Sequence, residues 1–310
     1  MFDEMTFKSK VTHEQAEHII DKLYLQECTR GESVYWQSSA FGKFDAVHAI
    51  VADGKLTMRF SCHKLWSKWA GEGLDNSRPF SMTDALATIS ALLTMLQLPS
   101  HQVRCDRFEL GLSMSVPDDP LTYIAMIQSI GEGTHKEFFV DANYQKDRQR
   151  TTLRARTYKK VFKIYDKTYE MEQKGHQTEG NILRIETIYK RQSMPLDNLL
   201  APANISRLLS RFWSDWSSVQ FVRDVVGSKG TKASQLERAR GIMTQGLGEY
   251  RDRQRKEYLD RRISKKTWET IRMFCDAWEA HWQHLFVMAP GRHEKDYTHI
   301  MSETYAYARS

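Results

Sequence analysis

The apolar spacing of this chain changes period once, near Pro195, and that change limits what it can fold into. Before it, short runs alternate with period two. Residues 103–116 put Phe108, Leu110 and Leu112 on one side and Arg107, Glu109 and Gly111 on the other, as a half-buried strand does. Residues 46–51 and 56–63, joined through Asp53-Gly54, read as a hairpin. Residues 34–36, 138–140, 152–156, 161–165 and 182–189 are further strands. Helices are expected over 14–25 behind Thr12, over 81–98 before Pro99, and over 121–130 behind Pro117-Asp-Asp-Pro. After Pro195 the period becomes 3.6, over 205–226, 235–259 and 265–287, with a break at Gly227-Ser-Lys-Gly230. Strands joined by short turns or single helices predict an α+β fold: an antiparallel sheet with helices on one face, then a helical C-terminal region. For 310 residues about two domains are expected. The shift in pattern divides them as 1–200 and 201–310.

Hydrophobic residues make up 41% of the chain, enough for a sizeable core. No apolar run approaches the roughly 18 residues of a membrane span. The longest, 91–98, is interrupted by Thr94 and Gln97, and the first residues lack a basic-then-apolar signal pattern. A cytoplasmic protein with no membrane partner is the expectation. Cys28, Cys62, Cys105 and Cys275 lie far apart with no CxxC pair, which suits reduced thiols better than structural zinc. There is no GxxxxGK[ST] phosphate loop and no internal repeat.

The net charge of +6 is unevenly placed. Residues 142–167 carry nine Lys and Arg against Asp147 and Asp166, a local +7. Residues 223–272 carry fourteen against seven, also +7, so the remainder is acidic. Two basic segments on an acidic body point to a polyanion partner. Arg154, Arg156, Lys159, Lys160 and Lys163 are the candidates for phosphate contacts, with Lys146, Arg148 and Arg150 before them. Tyr144, Tyr158, Phe162, Tyr165 and Tyr169 are interleaved, a composition that suits single-stranded nucleic acid; taken alone, most of those rings read as core.

Tyr165 stands near the end of a strand with Lys163 and Lys167 two positions to either side. A phenol has a pKa near 10, and nearby ammonium groups are expected to lower it and hold a phosphate against it. That suits phosphodiester transesterification, in which the phenolate attacks phosphorus and a 3′ oxygen leaves. The plainer reading is a half-buried tyrosine among solvated lysines. Glu109 and Glu186 each lie in an apolar strand, two positions after Arg107 and Arg184. A lone strand carboxylate needs exposure, an ion pair or a metal. Two of them on neighbouring strands make either a hard-oxygen site for Mg²⁺ or Mn²⁺ or a pair of Glu–Arg ion pairs on the sheet.

Three motifs in order complete the pattern: Arg107-Phe-Glu109, Tyr165-x-Lys167-x-x-Glu170 and Arg184-Ile-Glu186, with a helix-to-Leu-Pro approach over 92–99. Over residues 45–225 the chain resembles the tyrosine-dependent rolling-circle replication initiators of filamentous phages and staphylococcal-type plasmids. The resemblance implies a divergent HUH-class nickase. Tyr165 would be the nucleophile and Lys167 would position or neutralise the scissile phosphate. Glu109 and Glu186 would bind the metal, and Glu170 would support it or orient Lys167. Tyr169 would be a possible second nucleophile. The His-hydrophobe-His strand that names the class is absent, leaving His48 and His63 as possible ligands. Residues 1–200 would nick and rejoin DNA, and 201–310 would bind DNA or a partner.

The function that follows is replication initiation in a bacterial host cytoplasm, acting on single-stranded or hairpin origin DNA, with a host helicase as a possible partner. A non-catalytic sequence-specific DNA-binding protein and a conjugative or mobilisation relaxase are the alternatives. The mid-chain tyrosine favours replication over mobilisation.

Overall fold

The computed structural model describes residues 1–39, 46–74, 76–131, 136–140, 152–221 and 224–309. Tyr144, Lys146, Arg148 and Arg150 lie outside the described residues. The chain forms two compact units, Met1–Gln220 with Asp296–Ser310, and Phe221–Lys295.

The first unit begins with β1 (Phe2–Lys10), α1 (His13–Leu23), β2 (Gln26–Arg30), β3 (Ser33–Gln37), β4 (Val47–Ala52) and β5 (Lys55–Ser61). α2 (Cys62–Trp69), α3 (Met82–Met95), β6 (Val103–Val116), α4 (Pro120–Met126), β7 (Ile127–Ile130), β8 (Lys136–Glu137) and β9 (Phe139–Val140) follow. Then come β10 (Thr152–Arg156), β11 (Lys160–Asp166), α5 (Lys167–Glu172), β12 (Asn181–Tyr189), β13 (Met194–Pro195), α6 (Leu196–Leu200) and α7 (Pro202–Ser217). The main sheet has the order β2-β3-β4-β5-β1-β6-β12-β11-β10-β9, and β13 also pairs with β6. Its neighbouring strands run antiparallel, as the α+β pattern requires.

The register sorts the side chains into two faces. On one, Phe108, Leu110 and Leu112 join Met5, Phe60, Ile185 and Ile164, all buried. α7 packs here: the Trp216 indole donates to Thr187 Oγ1 at 2.9 Å and meets Phe162 edge-on. The other face is polar. It carries Arg107 and Glu109 on β6, Arg184 and Glu186 on β12, Lys163 and Tyr165 on β11, and Arg154 on β10.

The segment Phe2–Lys10, for which the sequence pattern predicts no element, is a strand between β5 and β6. Other expectations change. Residues 121–130 are not one helix. Backbone at Ile127 is extended, ending α4 and starting β7. The division of the chain falls after Gln220 rather than after 200, because buried Leu196, Leu199, Phe212 and Trp216 hold α6 and α7 to the first unit. The helix Arg292–Ala308 ends in that unit too, where the Tyr297 hydroxyl donates to the Trp216 carbonyl at 3.2 Å.

The second unit holds helices Ala233–Gln245, Leu247–Leu259 and Lys265–Asp276, with strands Asp224–Gly227 and Phe286–Ala289 paired antiparallel. The expected helix over 235–259 breaks at Gly246, whose φ of 87° suits glycine. Gly241 is required by packing: a Cβ there would meet Tyr250 Cε2 at 2.2 Å. Ile242, Phe274, Trp278 and Phe286 complete this core. Among the described residues no helix is long and apolar enough to cross a membrane.

Replacing Trp216 by Phe removes a buried hydrogen bond and leaves Thr187 Oγ1 without its donor. A loss of roughly 1–3 kcal/mol is expected. Urea denaturation measures it, and an unchanged midpoint would contradict this packing of α7 on β12.

Candidate functional site

The polar face concentrates its chemistry where β11 ends and β12 begins. Tyr165 and Arg184 are register partners there, as are Lys163 and Glu186. Glu186 is 3% exposed, and three groups converge on its carboxylate. The Tyr165 hydroxyl donates to Oε1 at 2.8 Å. Arg184 Nε donates to the same oxygen at 2.7 Å, and Lys163 Nζ reaches Oε2 at 3.2 Å. The Lys163 ammonium also lies 4.2 Å from the centre of the Tyr165 ring. Burial pushes the Glu186 carboxyl up, but Lys163 and Arg184 outweigh it and hold it below the ordinary value.

Arg184 is itself buried, and four hydrogen bonds hold it. Its Nη1 donates to Ser113 Oγ at 2.8 Å and to the Asn76 carbonyl at 3.1 Å, and Nη2 pairs with Asp3. Ser61 Oγ donates to the other Asp3 oxygen at 2.7 Å. The guanidinium crosses β6 at Gly111, where a Cβ would come within 2.7 Å of Nη2. Glycine is needed here for the close approach, since its φ is not positive.

The phenol differs from expectation. Tyr165 is 5% exposed. Burial, and then the Glu186 charge, raise its pKa well above 10. The lysines do not lower it because their charges are spent elsewhere. Lys163 neutralises Glu186, and Lys167, fully buried at the start of α5, donates to Asn76 Oδ1 at 2.6 Å and Glu170 Oε2 at 2.9 Å. Burial, with Arg184 adding to it, lowers Lys167 to about 8. Burial pushes Glu170 up, but Lys167 and Lys174 bring it down to about 2.

The five residues expected around a metal do not converge. Glu109 and Glu186 share the sheet face and feel each other's charge, but Glu109 is paired with Arg107, which also holds Glu4. Glu170 is engaged by two lysines. His63 is buried in α2, stacked on Phe80 at 4.4 Å; burial pushes the nearby Asp3 carboxyl up, but Arg184 above all, with His63 after it, holds it down. His48 is exposed on β4 opposite Arg59. Among the described residues no three His, Cys, Asp or Glu form a metal-ligating group. The donor set as arranged does not fit Mg²⁺ or Mn²⁺. A dication at Glu109 and Glu186 would have to displace Arg107 or Lys163. The alternative of paired Glu–Arg bridges is what the sheet contains.

The remaining expected residues separate by face. Arg154 lies beside Lys163 on the polar face, Arg156 is exposed two positions on, and Lys159 is exposed in the turn before β11. Lys160 points to the opposite face, paired with Asp215 of α7 at 2.5 Å. Tyr169 is half-buried on α5, its backbone N–H bonded to Asp166 Oδ1. Asp3, Glu4 and Asn76 were missed. For Glu4 a signal existed, the alternation of Met5, Phe7 and Ser9 with Glu4, Thr6, Lys8 and Lys10; Asp3 falls on the Met5 side of that alternation. Asn76, in the loop after α2, carries no such pattern.

No family model matches this chain, and no curated protein matches it. Among solved structures it is similar to the rolling-circle replication initiator protein from Geobacillus stearothermophilus, with a TM-score of 0.37 and 9% identity, over 76% of this chain and 89% of that one.

Two predictions follow from the geometry. Gly111→Ala should cost roughly 1–3 kcal/mol in urea denaturation, because Arg184 must move; no loss would contradict the crossing of β6. Glu109 is raised from 4.5 to about 8 by burial first and by Glu186 second. An unfolded chain releases this proton near pH 4.5, while the folded chain keeps it to about 8. Stability should therefore fall as pH rises through that window. Glu109→Gln should flatten the fall in a pH series of urea melts. A parallel pH dependence in the variant would assign the slope elsewhere.

Proposed function

We propose that the chain nicks and rejoins DNA, with Tyr165 as nucleophile and Glu186 as the base that takes its proton. The observation that carries this reading is the 2.8 Å bond from the phenol to a buried carboxylate, flanked by Lys163 and Arg184. A phenol with a pKa well above 10 is inert unless a positioned acceptor removes the proton as the oxygen attacks.

The phenolic proton passes to Glu186 Oε1, and the freed oxygen pair forms a bond to phosphorus. The bond from phosphorus to the 3′ oxygen breaks, and that oxygen takes up a proton from solvent water. The product is a 5′-phosphotyrosine whose ester energy is kept for rejoining. Lys163 is the movable part. When its ammonium turns from Glu186 to a phosphate oxygen it uncovers the ring of Tyr165, while Arg184 stays on the carboxylate. Arg154 and Arg156 follow the backbone along the same face. No step is assigned to a metal. Replication initiation is the biological setting that the motif order favours.

A second reading has its own observation. Tyr165 is almost fully covered, which suits a structural phenol in a DNA-binding protein that performs no chemistry.

One assay separates the two. The full chain is incubated, with and without Mn²⁺, with labelled single-stranded oligonucleotides tiling the intergenic DNA beside its own gene. A covalent adduct is expected on a hairpin-bearing oligonucleotide. Tyr165→Phe should abolish it and leave non-covalent affinity within about threefold, because phosphate contacts come from Lys and Arg. Binding with no adduct on any oligonucleotide would support the second reading, and an adduct that survives Tyr165→Phe would remove this residue from the chemistry.

A further inference from the structure

The polar face continues away from Tyr165 to the opposite end of the sheet, where β1 ends and β5 and β6 begin. There the register sets cation against cation. Lys10 is directly opposite Lys55 across β1 and β5, and Lys8 is directly opposite Arg104 across β1 and β6. Like charges facing each other across a ladder destabilise a sheet. Asp106 relieves the second pair in part, reaching Lys8 at 2.9 Å, and Arg104 donates to the Ser193 carbonyl. Lys10 and Lys55 are exposed and have no ion pair among the described residues. The four cations line a cleft of about 750 Å³, with Thr12 and Gln15 from the start of α1 and His101 and Gln102 beside β6.

We propose that this cleft is a second contact for the phosphodiester backbone of duplex DNA, separate from the Tyr165 site. Two cation pairs held face to face are neutralised together by a polyanion, and a cleft gives the phosphates a defined seat. Duplex rather than single-stranded DNA is the occupant. Among the described residues of the lining there is no Phe, Tyr or Trp and His101 is the single ring, which is too little to stack successive bases. Spacing agrees with a common ligand. Arg104 and Gly111, the residue opposite Glu186, are seven positions apart on β6, roughly 23 Å at the rise of a strand. Along a duplex that is roughly seven base pairs. A strand opened at Tyr165 would thus have its adjoining duplex held here. This last point rests on the nicking reading; the cleft's affinity for duplex does not.

The test measures binding of a fluorescein-labelled 20-base-pair duplex to the full chain by anisotropy, from 50 to 200 mM salt. Losing two phosphate contacts in Lys10→Gln with Lys55→Gln should lower the slope of log affinity against log salt by about 2 and weaken binding roughly tenfold at 0.1 M salt. Lys22→Gln with Arg30→Gln removes the same charge from α1 and β2 and should leave the slope unchanged. Without DNA, the Lys10, Lys55 variant should melt at a higher temperature, since repulsion is relieved. An unaltered slope, an equal loss in both double variants, or a lower melting temperature for the Lys10, Lys55 variant would each overturn the proposal. Anisotropy needs no cleavage and is repeated on Tyr165→Phe, so a failure of nicking leaves this result standing and the reverse also holds.

Discussion

A carboxylate at 3% exposure inside a sheet is the constraint around which this site is arranged. An unpaired charge at such a depth costs several kcal/mol. Glu186 avoids that cost with a phenol, a guanidinium and an ammonium from its own and the neighbouring strand. Each donor adds a requirement. Arg184 can reach Glu186 and still extend across β6 only because residue 111 has no side chain. Its far end then needs an anion, which β1 supplies as Asp3, and Asp3 is steadied by Ser61 at the end of β5. One buried charge thus links β11, β12, β6, β1 and β5. Replacing any one partner leaves another group buried without its counter-charge or its hydrogen bond.

Much of the sheet was legible in the sequence because the alternation of residues 103–116, 152–156 and 182–189 leaves few alternatives. β6 and β10 match the expected bounds, and β12 differs by one residue. The nearness of Tyr165 to Glu186 was also legible, since both lie in strongly patterned strands. Three things were not. β1 was hidden because Asp3 and Glu4 dilute its apolar content, although its other face alternates cleanly. Charge partners could not be assigned, because Lys167 is drawn to Asn76 from a loop with no periodic signal. Helix ends in the last third were not legible, since 3.6 periodicity continues through Gly246, where the helix breaks, and past Asp276, where the α-helix gives way to a π turn over Trp278–Trp282 and a 3₁₀ turn over Gln283–Leu285.

The distribution of charge across the polar face separates two tasks. Near Tyr165 the cations are committed to carboxylates, so little positive charge is left for a phosphate until Lys163 moves. At the far end, Lys10 and Lys55 have no acidic partner among the described residues. A polyanion that first meets the uncommitted cations can then compete for Lys163. On the nicking reading, this order of events would keep the phenol protonated and covered until nucleic acid is in place.

The most direct measurement of the central claim is the position of the covalent bond. Trypsin cleaves after Lys163, Lys167 and Lys174, so Tyr165 and Tyr169 fall in separate peptides. Mass spectrometry of nuclease-trimmed, DNA-treated protein should find the added nucleotide on the peptide Ile164-Tyr165-Asp166-Lys167. Nucleotide mass on the Thr168-to-Lys174 peptide, or on any peptide lacking Tyr165, would contradict the account.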